Sequence, residues 1–311
     1  MNDKLYIDGI DAYEKWGVFV VQGGWNNILS WPPLKAPATN DWPEDDGVEV
    51  DLDSPQLDTM SATISFACTG LYGNMAAFVN HLADGSHHEF VSPSIGRKLT
   101  LRMEQMPNLS GLKFLEALSI KFANDYPLKG YTYQEPDSDI SAASDYLIDN
   151  RPFTDYGCRI LRGSLATIRK AADVKRNLLV NIKSNSGAAY DSGAVCFKCK
   201  DIKLNCLMRA DTLAELWANY DALLYDLIQP QLRQLYVADL EQTFLCHYKS
   251  AAINAFYPTG KIWLDFTITL TCTGSTRLTD DLVFADENGV LISGDEQATE
   301  EETLVNLQPN Q

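Results

Sequence analysis

Basic residues are scarce in this chain of 311 residues: 25 Lys and Arg stand against 42 Asp and Glu, a formal charge of −17 at pH 7. A surface that grips nucleic-acid phosphates needs clustered Lys and Arg, so that class is excluded. An acidic wall repels a phosphate backbone, which suits a conduit better than a binder, although acidity also serves solubility alone. No apolar run approaches the roughly 20 residues that span a bilayer. The start, Met1-Asn2-Asp3-Lys4-Leu5-Tyr6-Ile7-Asp8, lacks a basic segment followed by an apolar one. Neither a membrane protein nor a secretory signal is therefore expected, and a cytoplasmic origin is the simplest reading. Histidine occurs only four times, and no Ser or Cys stands in a nucleophile-elbow context, so a hydrolytic triad has no support. No G-x-G-x-x-G, P-loop or EF-hand spacing occurs. The expectation is a protein that is not an enzyme and uses no cofactor.

The seven cysteines are an odd set, which favours reduced core thiols over a disulfide framework. Cys196-Phe197-Lys198-Cys199 is a single C-x-x-C without a second pair at zinc-ribbon spacing. It sits in an alternating strand, where residues three apart point to opposite faces. His87-His88 reads as a solvated turn before a strand, His81 as a surface residue of a helix, and His247 as part of an alternating strand. Asp45/Asp46 and Asp51/Asp53 offer oxygen ligands but not in calcium-loop order. No metal site is expected.

What the sequence does hold is a repeat. Trp16-Gly17-Val18-Phe19-Val20-Val21-Gln22-Gly23-Gly24-Trp25-Asn26-Asn27-Ile28 matches Tyr156-Gly157-Cys158-Arg159-Ile160-Leu161-Arg162-Gly163-Ser164-Leu165-Ala166-Thr167-Ile168 without a gap, at an offset of 140 (156 − 16). Later elements recur in the same order. Met60, Ala62, Ile64 and Phe66 alternate with polar residues as a strand should, and so do Ile202, Leu204, Cys206 and Met208. A helix follows each: Met75, Phe78, Val79 and Leu82 with Asn74 as N-cap, and Leu213, Leu216, Trp217 and Tyr220 with Thr212 and Glu215 as a capping box. Strands around Lys98–Arg102 and Thr243–His247 come next. Leu118, Ile120 and Phe122, and Phe266, Ile268 and Leu270, close the copies. The fold class is α+β, with two tandem β-rich modules, each an antiparallel sheet, sandwich or barrel with one packed helix.

The expected domains are 1–145, 146–275 and 276–311, the last a short hairpin (Leu282–Ala285 with Val290–Ser293) and an acidic tail at 295–302. The loop from Trp31 to Pro55, with Trp42, Glu44, Asp45 and Asp46, is too long to be idle. It is either a surface loop packed by its own tryptophans or an arm that docks on a neighbouring subunit. The second copy replaces it with a more basic stretch, Lys170–Lys183, and a small-residue loop, Ser184–Gly193.

This order of elements, from the Trp16-Gly17 and Tyr156-Gly157 signatures with Gly23 and Gly163, resembles the tail-tube module of long-tailed bacteriophages, also found in distal tail proteins and baseplate hubs. The resemblance covers about 1–130 and 150–274. It carries no catalytic signature. It implies a ring joined through sheet edges, with neighbouring tail proteins as further partners and DNA passing through the lumen without specific binding. It also implies assembly in the cytoplasm and a final place in the virion tail. Two modules per chain imply either three copies in a pseudo-sixfold ring or six copies with one module inside. The rival reading is a two-domain carbohydrate-binding or surface-adhesion protein, for which Trp25, Trp31 or Trp42 would form an exposed aromatic platform.

Overall fold

The computed structural model describes residues 4–68, 72–107, 116–140, 143–175, 183–184, 186–187, 195–274, 284–285 and 291–292. Most of the basic stretch and small-residue loop at 170–193, and all of the acidic tail at 295–302, lie outside these residues.

The chain opens with β1 (Tyr6–Ile7) and β2 (Ile10–Asp11), joined by Asp8 and Gly9 at φ 51° and 79°. Positive φ at both central positions gives a turn whose twist matches that of the strands it joins. Asp11 then accepts hydrogen bonds from the Tyr13 and Glu14 amides and caps α1 (Ala12–Trp16). Next come β3 (Val18–Val20), α2 (Asn26–Leu29), β4 (Thr39–Asn40), β5 (Glu49–Val50), β6 (Met60–Cys68) and α3 (Tyr72–Leu82). β7 (His87–Ser92), β8 (Arg97–Gln105) and β9 (Glu116–Asn124) complete the first copy.

The second copy begins at β10 (Tyr146–Ile148) and β11 (Arg151–Pro152), again joined by two positive-φ residues, Asp149 and Asn150. A short 3-10 turn (Phe153–Tyr156) stands where α1 stood. Then follow β12 (Cys158–Ile160), α4 (Ser164–Arg169), β13 (Lys200–Ala210), α5 (Leu213–Leu227), β14 (Arg233–Val237), β15 (Gln242–Tyr257) and β16 (Ile262–Cys272).

Two seven-stranded sheets result, in the orders β2-β1-β7-β8-β9-β6-β3 and β11-β10-β14-β15-β16-β13-β12. Strand for strand these are the same path, and every pairing between the strands is antiparallel. The expected alternation appears as burial: Ala62, Ile64 and Phe66, and Ile202, Leu204, Cys206 and Met208, point inward.

One long helix packs on each sheet, beside the short helices α2 and α4. In α3, Met75, Phe78, Val79 and Leu82 are buried, and the Phe78 ring meets Phe66 at 5.4 Å. The helix begins at Tyr72, so Asn74 lies inside its first turn and is not the N-cap. In α5, Thr212 caps the Glu215 amide as expected, while the Glu215 carboxylate receives the amide of Asp211 instead of that of Thr212. Matched from their C-terminal ends, the helices align Met75, Phe78, Val79 and Leu82 with the buried Tyr220, Leu223, Leu224 and Leu227. The spacing at Leu213–Tyr220 belongs to the N-terminal half of a longer helix (15 residues against 11). Periodicity alone cannot choose between successive turns of one apolar face.

Residues 1–274 form one compact unit in which both sheets share a continuous apolar core. The second unit, 275–311, contains the expected hairpin as β17 (Phe284–Ala285) and β18 (Leu291–Ile292), paired antiparallel.

Candidate functional site

The repeat signature has a conformational cause. Gly17 and Gly157, at φ 71° and 68°, end the helical turns that bury Trp16 and Tyr156. A side chain at Gly157 would put its Cβ 2.8 Å from the Arg209 carbonyl. Gly23 and Gly163, at φ 74° and 98°, precede α2 and α4, and both helices bury the isoleucine of the signature, Ile28 and Ile168. In both copies the signature folds as a turn, a strand and a short helix.

The segment leaving α2 crosses from the first copy to the second and lies along the outer half of β15. Leu34 donates its amide to the Lys249 carbonyl at 3.0 Å, and the Ile253 amide donates to Ser30 Oγ at 2.8 Å. Tyr248 donates its hydroxyl to the Pro32 carbonyl at 2.8 Å. Trp31, only 3% exposed, stacks on Tyr220 at 4.4 Å and meets Tyr248 and Phe266 edge-on. The N-terminal part of α5 reaches back to the first copy. Trp217 Nε1 donates to the Ile95 carbonyl, the Arg97 guanidinium lies over the Trp217 ring, and it also binds Asp221 through both nitrogens at 2.6 and 2.7 Å. Bidentate pairs of this kind fix orientation as well as adding energy.

The rest of the long loop docks on the second copy as well. Lys175 Nζ binds Asp41 and the Trp42 carbonyl, and the Cys196 thiol donates to the Glu44 carbonyl. The Phe197 amide donates to Asp46 Oδ1 at 2.8 Å, the Gly47 amide to the Phe197 carbonyl, and the Val48 amide to the Thr273 carbonyl. Of the residues expected to contact a neighbour, Trp31 and Asp46 have side chains engaged within their own chain, whereas Trp42 and Glu44 are held on the second copy by their carbonyls alone and the side chains of Trp42, Glu44 and Asp45 face solvent. Trp42 Nε1 binds only Glu49. Trp25 and Trp31 are buried, so they form no exposed platform. The exposed aromatic pair is Tyr257 with Trp263, their rings 5.7 Å apart.

The crossing segment has a counterpart in the second copy. Leu34 bridges Leu57, flanked by Lys35 N–H to Gln56 C=O and Asp58 N–H to Pro33 C=O. Val174 bridges Phe197, flanked by Lys175 N–H to Cys196 C=O and Lys198 N–H to Asp173 C=O. All six positions keep the offset of 140 found in the signature. The Leu34 amide points outward to Lys249. The Val174 amide points outward too, with no acceptor among the described residues, and Val174 is 52% exposed. The receiving strand recurs as well. Lys249 is a bulge in β15, beyond the stretch covered by β14, and Glu104 is a bulge in β8, beyond the stretch covered by β7. A bulge turns its residue out of the ladder, which makes its carbonyl available to a neighbour.

The histidines are better organised than a solvated turn. His87 and His88 both lie in β7; His87 binds Asp125, and His88, 3% exposed, binds Asp8 at 2.6 Å and Asp84 at 3.2 Å. His81 Nε2 is 3.2 Å from the same Asp8 oxygen. Burial works to raise the Asp8 carboxyl, but hydrogen bonds from His88, the Glu89 amide and His81 outweigh it and hold the group below the ordinary carboxylate range. Among the described residues Asp8, His81 and His88 converge closely enough to hold a metal ion; neither Cys196 nor Cys199 joins them. Cys196 is buried, and burial pushes the Cys199 thiol up, as it does at Cys206, Cys246 and Cys272. Raised thiols of this kind are chemically quiet.

His247 is a simpler case. Burial lowers its pKa, the Asp201 carboxylate opposes this and Lys249 reinforces it. As pH falls through about 6.5 the unfolded chain takes up this proton before the folded one does, so stability declines toward the lower folded value. Melting curves between pH 7.5 and 5 are expected to show a shallower decline for His247→Gln than for the parent protein.

No protein-family model matches the chain, and no curated protein matches it. Among solved structures, it is similar to the SPP1 Dit (gp 19.1) protein, described as a paradigm of the hub adsorption apparatus of phages infecting Gram-positive bacteria. The likeness has 10% identity, covers 86% of this chain and 97% of that one, and has a TM-score of 0.31.

Proposed function

We propose that the chain is a structural component of a bacteriophage or prophage-derived tail, three copies closing head to tail into a ring of six modules that continues the DNA channel near the tail tip or baseplate. The observation that supports this most directly is the repeated docking device. Within one chain, the Leu34 segment of the first copy sits on the Lys249 bulge of the second. Among the described residues, the halves of the same device without such a contact are the Val174 segment of the second copy and the Glu104 bulge of the first. An interface between unlike surfaces propagates from copy to copy and closes when the rotation permits. Six copies with one module inside remain the alternative stoichiometry. The acidic balance of 42 to 25 suits a wall past which DNA slides. Such a protein would assemble in the host cytoplasm and end in the virion tail, in contact with neighbouring tail proteins.

Val174→Pro tests this reading. Proline removes the outward amide, which has no acceptor among the described residues, so the monomer is expected to fold normally. Light scattering after size exclusion, at high protein concentration, is expected to show trimers for the parent protein and monomers for the variant. One observation favours a second reading, carbohydrate binding: the exposed Tyr257–Trp263 pair. A parent protein that stays monomeric and loses glycan binding on Trp263→Ala would move the assignment there.

A further inference from the structure

We propose that Asp8, His81 and His88 form a binding site for one divalent transition-metal ion, zinc by the character of its donors. Three separate elements deliver them: the β1–β2 turn, the last turn of α3 and the start of β7. Asp8 Oδ2 stands 3.2 Å from His81 Nε2 and 2.6 Å from His88 Nδ1, and all three donor atoms lie within 4.8 Å of one another. Zinc takes such ligands at about 2.0–2.1 Å in a tetrahedron, which places donors roughly 3.3 Å apart. Small side-chain adjustments of the present arrangement reach that geometry.

The surrounding contacts are those a metal-binding histidine uses. His88 Nδ1 donates to Asp8 at 2.6 Å in the metal-free structure, and His88 Nε2 lies 3.2 Å from Asp84 Oδ1, an acceptor that can hold the ring proton on Nε2 when a metal ion displaces the one on Nδ1. The second oxygen of Asp8 is held by the Glu89 amide at 2.8 Å. The His81 ring rests 5.1 Å from the Trp16 ring. His88 is buried while His81 and Asp8 are about one-third exposed, so the site opens to solvent on one side, where a water or an external ligand completes the shell.

The duplication supplies an internal control. Asp149 repeats the role of Asp8 in the second copy: its amide donates to the Gln234 carbonyl as that of Asp8 does to the Glu89 carbonyl, and its Oδ1 likewise receives the strand amide. There, Arg233 stands where His88 does and binds the remaining carboxylate oxygen at 2.8 Å. Counting from the helix ends, Asp226 stands where His81 does. One copy therefore neutralises the turn aspartate with a permanent guanidinium. The other surrounds it with two imidazoles, the residue types whose lone pairs a metal cation requires.

This inference does not depend on the tail assignment. Its test is titration of chelator-treated full-length protein with Co2+ and then Zn2+. The expected result is one ion per chain and visible cobalt bands without thiolate charge transfer. Zinc is also expected to raise the melting temperature of the parent protein and to leave those of Asp8→Asn and His81→Gln unmoved. His81→Gln is the safer variant because its side chain is partly exposed, and metal-free melting and circular dichroism establish that it is folded. No zinc-dependent melting shift in the parent protein would overturn the proposal and leave three charge-assisted hydrogen bonds. Binding that survives His81→Gln, or a cobalt–thiolate band pointing to Cys196 and Cys199, would overturn it equally.

Discussion

Replacing Trp31 with alanine is expected to lower the stability of the unit spanning residues 1–274 by about 3–5 kcal/mol. The ring is fully enclosed, stacked on Tyr220 and edge-on to Tyr248 and Phe266. Its removal leaves a cavity between the first copy's crossing segment and the second copy's sheet. Because the hydrogen bonds of Ser30, Pro32 and Leu34 to β15 hold the same segment, the loss should loosen the seam as a whole. Chemical denaturation reads the effect as a lower midpoint, and hydrogen exchange should show the Ile253 amide opening more often than in the parent protein. Trp42→Ala, removing an exposed ring from the same loop, is expected to change stability by less than about 0.5 kcal/mol. Equal effects of the two substitutions would refute the placement of Trp31.

The second large effect is expected at Gly47. Its φ is +70°, and a Cβ built there would lie 1.5 Å from the Thr273 carbonyl oxygen. No side-chain rotation relieves a clash between backbone atoms, so Gly47→Ala must push the loop off the second copy. The hydrogen bonds at stake are Gly47 to Phe197, Val48 to Thr273 and Phe197 to Asp46. At about 1 kcal/mol each, with the strain of a non-glycine residue at positive φ, the loss comes to about 2–4 kcal/mol. Limited proteolysis should then cut within 41–53 of the variant and spare that segment in the parent protein. Equal resistance would show that the loop tolerates displacement without losing its contacts.

Much of this fold was legible in the sequence because its repeat obeys local rules. Alternation at Ala62–Phe66 and Ile202–Met208, and the aromatic-glycine pairs at 16–17 and 156–157, report burial and left-handed backbone conformation, both properties of neighbouring residues. The destination of the long loop was not legible. Nothing near Trp31 in the sequence names Tyr220 or Phe266, which lie some 190 to 235 residues away and are brought to it only by tertiary packing. The docking device was illegible for a related reason: the Leu34–Leu57 and Val174–Phe197 bridges keep an offset of 140 but share no diagnostic residue, only backbone geometry. The histidine cluster draws Asp8 from a turn about 80 residues from His88 in sequence. A faint signal was available, since Asp8-Gly9 and Asp149-Asn150 both read as tight-turn dipeptides before a chain reversal.

The central claim is that the contact joining the two copies within a chain recurs between chains. Cysteine cross-linking tests it directly, since strand neighbours that exchange a backbone hydrogen bond bring their Cα atoms within disulfide reach. Leu34→Cys with Lys249→Cys is expected to close within one chain, leaving the mass unchanged on a non-reducing gel. Val174→Cys with Glu104→Cys is expected to link chain to chain, giving dimers and then trimers and stopping at the closed trimer. If the first pair closes while the second yields only monomers at every concentration tested, the head-to-tail ring is contradicted.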